Sequence, residues 1–142
     1  MTEANFSRIR EVNEQPVREG GKYVLYWMTA NRRPHWNHAL DRALEHAKRL
    51  GKPLLVLEAL RIGYRWASDR MHRFVMDGML DNGKAFQKAG VTYYAYVERE
   101  VDEGKGLLAH LGRDACVVVA DDWPHYFLPR MLQSAAAQLP VR

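Results

Sequence analysis

The sequence predicts an α/β domain of Rossmann-like, flavodoxin-type architecture, with helices on both faces of a parallel sheet in three layers. Three observations predict it. Short, continuous apolar runs alternate with amphipathic stripes of 3.6-residue period. Glycine or proline closes most of the stripes. The alternation is regular, β-α-β-α-β-α-β-α, which implies parallel strands joined by right-handed crossovers.

The elements follow in order. The first twenty residues are a polar lead-in, and Gly20-Gly21 breaks the chain before the first strand. Tyr23 to Met28 is wholly apolar, as expected of a strand covered on both faces. Trp36 to Leu50 reads as a helix with its apolar stripe at 36, 39, 40, 43, 44, 47 and 50. Glu45 and Arg49 are spaced to pair on its wet face, and Gly51 with Pro53 ends it. Leu54 to Leu60 is a second buried strand. Ser68 is placed to cap a long helix, Asp69 to Ala89, closed by Gly90. Its expected inner face includes Met71, Phe74, Val75, Gly78, Met79, Asn82 and Phe86. Gly78 there predicts a close backbone neighbour, and Asn82 needs a hydrogen-bond partner.

Val91 to Val97, rich in tyrosine and β-branched residues, is the third strand. Lys105 to Leu111 is a short helix and Ala115 to Ala120 the fourth strand. The last helix carries Leu128, Met131, Leu132, Ala135, Ala136 and Leu139 on one side, with Pro129 suited to its first turn. The tail from Leu139 to Arg142 reads as the start of a fifth strand, at which the chain is cut off.

Bulk properties narrow the function classes. At 142 residues, 47% of them hydrophobic, the chain makes one domain with a real core. No apolar run is long enough to span a bilayer and the start lacks a signal-peptide core, which predicts a cytoplasmic protein with no membrane partner. The single cysteine, Cys116, lies in an apolar run and reads as a small buried hydrophobe. A net charge of +4 with scattered arginines describes a mildly basic, solvated surface.

Several motifs fail on inspection. Gly78 to Ala85 nearly spells a phosphate-binding loop, but Ala85 replaces the magnesium-holding hydroxyl and the segment is mid-helix. No G-x-G-x-x-G follows the first strand. His35 and His38 lack acidic or cysteine companions at ligand spacing, so no metal site is expected. The positive signal is positional. Ligands of open parallel sheets bind beyond the strands' carboxyl ends. Those ends carry Thr29 to Arg33, Glu58 to Arg61, Glu98 to Glu100 and Asp121 to Trp123, with Trp27 and Trp36 close by. Aromatic rings, guanidinium groups and carboxylates together suit a flat heteroaromatic ligand. The competing reading puts Trp27 and Trp36 in the core and leaves the charges merely solvated.

A family resemblance adds to this. Arg8-Ile9-Arg10, Asn13, Pro16-Val17, Gly21 and Tyr23 to Met28 resemble the opening of class II cyclobutane-pyrimidine-dimer photolyases. Trp36-Asn37-His38-Ala39-Leu40, Leu54 to Leu57, Arg70 to Gly78 and Val117 to Asp121 extend the resemblance in order along nearly the whole chain. The chain departs from the family pattern at Thr29-Ala30-Asn31 and at Trp36. The resemblance implies a photolyase/cryptochrome-type N-terminal α/β domain over residues 1–142. A helical FAD domain, absent from this chain, would be its partner and would alone meet damaged DNA. In that family the helical domain performs light-driven splitting of pyrimidine dimers, and the α/β domain can hold a deazaflavin or folate antenna. By this reading the chain carries no catalytic residues and no FAD of its own. The residues expected to line an antenna-type cofactor pocket are Trp27, Met28, Asn31, Arg33, Asn37, Asp121, Asp122 and Trp123. Trp66, Tyr126, Phe127 and Leu128 are the apolar residues expected to meet the second domain. Two alternatives stay open: a stand-alone nucleotide- or chromophore-binding module without catalysis, and a cryptochrome-like light receptor.

Overall fold

The computed structural model describes residues 8–142. Strands β1 (Tyr23–Met28), β2 (Leu54–Leu60), β3 (Thr92–Val97) and β4 (Ala115–Ala120) form one sheet in the order β3-β2-β1-β4. Every pairing is parallel. The helices between and after them are α1 (His38–Leu50), α2 (Asp69–Lys88), α3 (Leu107–Gly112) and α4 (Leu128–Ala136). The expected α/β, Rossmann-like architecture is therefore the one observed. The strand order 3-2-1-4 is that of a Rossmann half rather than the flavodoxin order 2-1-3. Among the described residues, no helix is long and apolar enough to cross a membrane.

Alternation along β1 divides the core in two. Val24, Tyr26 and Met28 pack with Leu40, Ala43 and Ala47 of α1 and Phe86 of α2. Leu25, on the other face, packs with Leu57, Ala115 and Val141, beside Leu107, Leu108 and Leu111 at α3. Cys116 is fully buried among the first group, as a small hydrophobe would be. The tail lies along the outer edge of β4, where the Val118 N–H donates to the Arg142 carbonyl oxygen at 2.7 Å.

Most helix ends follow their sequence signals. Ser68 accepts from the Met71 N–H, and Gly51 turns left-handed (φ 62°) to close α1. Four details differ. Helix α1 begins at His38, because the Asn37 side chain caps it by accepting from the Leu40 N–H; Trp36 falls outside at φ 52° and is 91% exposed. Glu45 pairs with Arg42 instead of Arg49, whose guanidinium lies 3.0 Å from the His46 Nδ1. Helix α4 stops at Ala136, and Leu139 is buried from the following turn instead. Gly78 faces open space, because only the later part of α2, at Met79, Asn82 and Phe86, is buried. The helix outruns the region where the sheet can cover it.

Gly21 sits where the chain passes β4. A Cβ built there would lie 2.6 Å from the Ala115 carbonyl carbon and the Cys116 nitrogen, both backbone atoms that cannot rotate away. A Cβ on Gly20 would meet nothing within 4 Å. Gly21→Ala is therefore expected to destabilise the domain by about 1–3 kcal/mol, and Gly20→Ala to leave it nearly unchanged. Urea unfolding of the two variants side by side checks this; equal midpoints would refute the close approach.

Candidate functional site

Strand order reverses between β1 and β4, since β2 and β3 lie to one side of β1 and β4 to the other. The carboxyl ends of those two strands mark the usual ligand crevice of such sheets. Asp121, the first residue after β4, fills that point. Its Oδ2 accepts from the N–H groups of Thr29, Ala30 and Asn31 at 2.9, 2.8 and 3.0 Å. Its Oδ1 accepts from the Tyr26 hydroxyl at 2.9 Å. Asn37 Nδ2 donates to the same hydroxyl at 2.8 Å and reaches the carbonyls of Asn31 and Arg33, both at 3.0 Å. Burial first, and the Asp121 carboxylate second, push the Tyr26 phenol far above its ordinary value, so it stays a donor.

Two further buried carboxylates act alike. Glu58, near the end of β2, accepts from Asn82 at 2.9 Å and Tyr93 at 2.7 Å, and pairs with Arg32 at 3.1 Å. Arg32 also donates to the Ala59 carbonyl at 2.7 Å. Glu98, just past β3, accepts from the N–H groups of Ile62 and Gly104 at 3.1 and 3.2 Å. The three acids tie loops to strand ends.

An open groove of about 510 Å³ wraps the outer edge of β4, starting at this rim. Trp27, Asn31, Asp121 and Asp122, four of the expected site residues, line it. The other four do not. Met28 is fully buried in the core beneath α1. Asn37 is buried and occupied as the cap of α1. Arg33 turns back on the Trp36 carbonyl, and Trp123 is exposed away from the groove. Met28 is absent because alternate residues of a strand point to opposite faces, so it faces away from Trp27; Arg33, Asn37 and Trp123 lie in loops, whose course nearness to a strand end does not fix.

Val118, Val119 and Leu108 contribute apolar lining, and Arg8, Arg10, Arg42 and Arg142 bring positive charge. Asp122 is held by Arg10 through two 3.0 Å hydrogen bonds, which lower its carboxyl below the usual range. His46, also on the wall, is pushed down to about 4, mainly by burial and then by Arg42 and Arg49. It is neutral at pH 7. These arginines come from segments far apart in the chain; Arg8 and Arg10 stood in a motif of the family resemblance, and nothing local linked them to Arg42 or Arg142. Among the described residues, no group of three His, Cys, Asp or Glu side chains is placed to hold a metal ion. What the groove offers is a half-buried indole, an amide and guanidinium groups, most of them paired with the acids Glu11, Glu45 and Asp122 that line it too: binding chemistry for a flat, polar ring system.

A second surface sits on the same rim. Tyr64 lies 6.1 Å from Trp66 and 5.6 Å from Phe127, centroid to centroid, joining the β2–α2 and β4–α4 loops. Arg65 stacks on Trp66 at 4.7 Å. Trp66, Tyr126 and Phe127 are exposed, as expected of them, while Leu128 is half-buried. Tyr64 and the arginine stack were missed; the alternation of aromatic and basic residues in Tyr64-Arg65-Trp66 was the available signal.

No family model matches the chain. Over 114 residues it is 38% identical to a deoxyribodipyrimidine photo-lyase of Methanothermobacter thermautotrophicus, an alignment covering 80% of this chain. Its sequence is related to that of a photolyase. The chain spans 25% of that photolyase's length. A solved structure from the universal stress protein family of Burkholderia pseudomallei aligns with 20% identity and a TM-score of 0.48, covering 86% of this chain and 96% of the other. The photolyase match supports a photolyase-related domain, in keeping with the resemblance in the opening residues.

Two outcomes test the geometry. Asp121→Asn leaves backbone donors of the β1–α1 loop without an anionic acceptor and should cost about 2–3 kcal/mol. Asp122→Asn, in a half-exposed pair, should cost less than about 1 kcal/mol; denaturant titration separates the two. For His46 the folded pKa lies below the unfolded one, so the unfolded chain binds more protons between them. Stability from this group is complete above about 6.5 and is lost as pH falls toward about 4. His46→Gln should flatten the stability–pH curve in that window, read from thermal midpoints.

Proposed function

We propose that this chain is the N-terminal α/β domain of a photolyase-like flavoprotein, which as a whole repairs cyclobutane pyrimidine dimers in DNA by light. The 38% identity to a photolyase, over 80% of the chain, is the observation that carries the reading. Within it, this domain is scaffold and antenna pocket. Photochemistry on DNA belongs to a helical FAD domain, and damaged DNA is met only there.

The groove along β4 fits an antenna pigment of the deazaflavin or folate kind by its donor set. Trp27 offers a ring face, Asn31 an amide, and Arg8 positive charge toward an anionic tail. A bound pigment would supply absorption of near-ultraviolet or blue light. The chain's own residues bind it, orient it against the indole and shield one face from water. Asp121 contributes by fixing the loop that carries Asn31. The exposed ring cluster of Tyr64, Trp66 and Phe127 is the surface that the FAD domain covers, since clustered exposed aromatics mark interaction sites.

Titration of the purified chain tests the assignment. A deazaflavin or folate should quench Trp27 fluorescence, with the effect reduced by Asn31→Ala; FAD should not bind stoichiometrically. The coding sequence after Arg142 should continue into a helical region of a few hundred residues, whose joint product splits dimers in light. Tight, one-to-one FAD in the 142-residue chain, or a stop codon directly after Arg142, would overturn the reading.

A further inference from the structure

The first half of α2 stands clear of the sheet. Its buried residues, Met79, Asn82 and Phe86, lie toward its carboxyl end. Phe74 is 76% exposed, and Met71 beside it is exposed too. One turn on, Gly78 has no neighbour within 4 Å of where a Cβ would be. A helix residue recurs on nearly the same side every four positions. Phe74 and Gly78 therefore form a knob and a hole on one flank, roughly a quarter turn from the buried face. A glycine in an exposed helix interior lowers helix stability relative to alanine.

The charges on that flank are ordered as well. Arg70 lies at the amino-terminal end and Asp81, in an exposed 3.2 Å pair with Lys84, at the other. Turned end for end, the flank is complementary to itself. Residue 74 then faces 78 of the opposing helix, 78 faces 74, and each Arg70 approaches an Asp81. This is the pattern of an isologous two-fold contact, in which the same patch serves both partners.

We propose that the chain pairs with a second copy of itself through this flank of α2. The two helices run antiparallel, each Phe74 seated over the other's Gly78, with two Arg70–Asp81 contacts flanking the crossing. The glycine admits the ring and lets the helix axes approach closely. One helix pair is a small interface, so the association is concentration-dependent.

Sedimentation velocity of the 142-residue chain over a concentration series tests this. The expected result is a monomer–dimer equilibrium. Arg70→Asp places like charges at both contacts, as does Asp81→Arg, and each alone should weaken dimerisation by about tenfold or more. An equimolar mixture of the two variants should restore it, because the heterodimer has opposite charges at both contacts. Both side chains are exposed, and circular dichroism confirms that the variants fold. Phe74→Asp should abolish pairing. A monomer at every concentration overturns the proposal. So does a dimer indifferent to these substitutions, which would assign association to the aromatic rim. Neither result bears on the photolyase-like reading, which rests on sequence identity and not on α2.

Discussion

One carboxylate, Asp121, holds the rim together. Asn31 reaches the groove only because the β1–α1 loop folds back so that three consecutive N–H groups converge on a single oxygen. The second oxygen takes the Tyr26 hydroxyl from inside the core. Asn37 then links that hydroxyl to the loop carbonyls and caps α1. Strand β1, the loop, α1 and the end of β4 thus share one buried, mutually satisfied network. Such networks are cooperative, and each half-satisfied version costs more than an apolar replacement. The loop geometry is consequently all-or-none, and the groove inherits its shape from it.

The same device recurs at the other strand ends, which changes the meaning of acidic residues in this fold. Glu58 and Glu98 sit where ligand-facing groups are usual, yet both point inward and accept from loop amides or neighbouring side chains. Burying an anion is tolerable only with partners of this kind. Arg32 completes the set by neutralising Glu58. With these acids turned inward, the groove itself carries both signs: Arg10, Arg42 and Arg142 are each paired there with an acid, Asp122, Glu45 and Glu11, beside the Trp27 indole and the Asn31 amide.

The layers were legible in the sequence because they depend on local periodicity. The apolar run Tyr23 to Met28, the stripe through Leu40, Ala43 and Ala47, and the caps Ser68 and Gly51 each carry their signal within a turn or two. Strand order and helix coverage do not. Gly78 falls on a convincing apolar stripe, but no period reveals that α2 extends past the sheet. Trp36 likewise matches the stripe of α1, and only the side chain of Asn37 decides that the helix starts after it. The site was half legible for the same cause. Asp121 was found from its place after an apolar run, whereas its role as clamp depends on residues some ninety positions away. The arginines of the groove come from the lead-in, from α1 and from the tail, and no single window of sequence brings them together.

Topology also separates the groove from the outer flank of α2. Helix α2 packs on β2 and β3, at one end of the sheet, while the groove follows β4, at the other. A partner on the outer flank of α2 neither covers Trp27 nor touches the loop that Asp121 holds. Coupling between distant sites requires an element with two arrangements that both sites bias. The sheet between these surfaces is continuous, parallel and buried at its centre, with Val24, Leu25, Val56 and Leu57 packed on both faces. One side chain does join the two ends: Asn82 of α2 donates to the Arg32 carbonyl at 3.2 Å and to Glu58 at 2.9 Å, so it is the buried face of α2, and not its outer flank, that is tied to the β1–α1 loop.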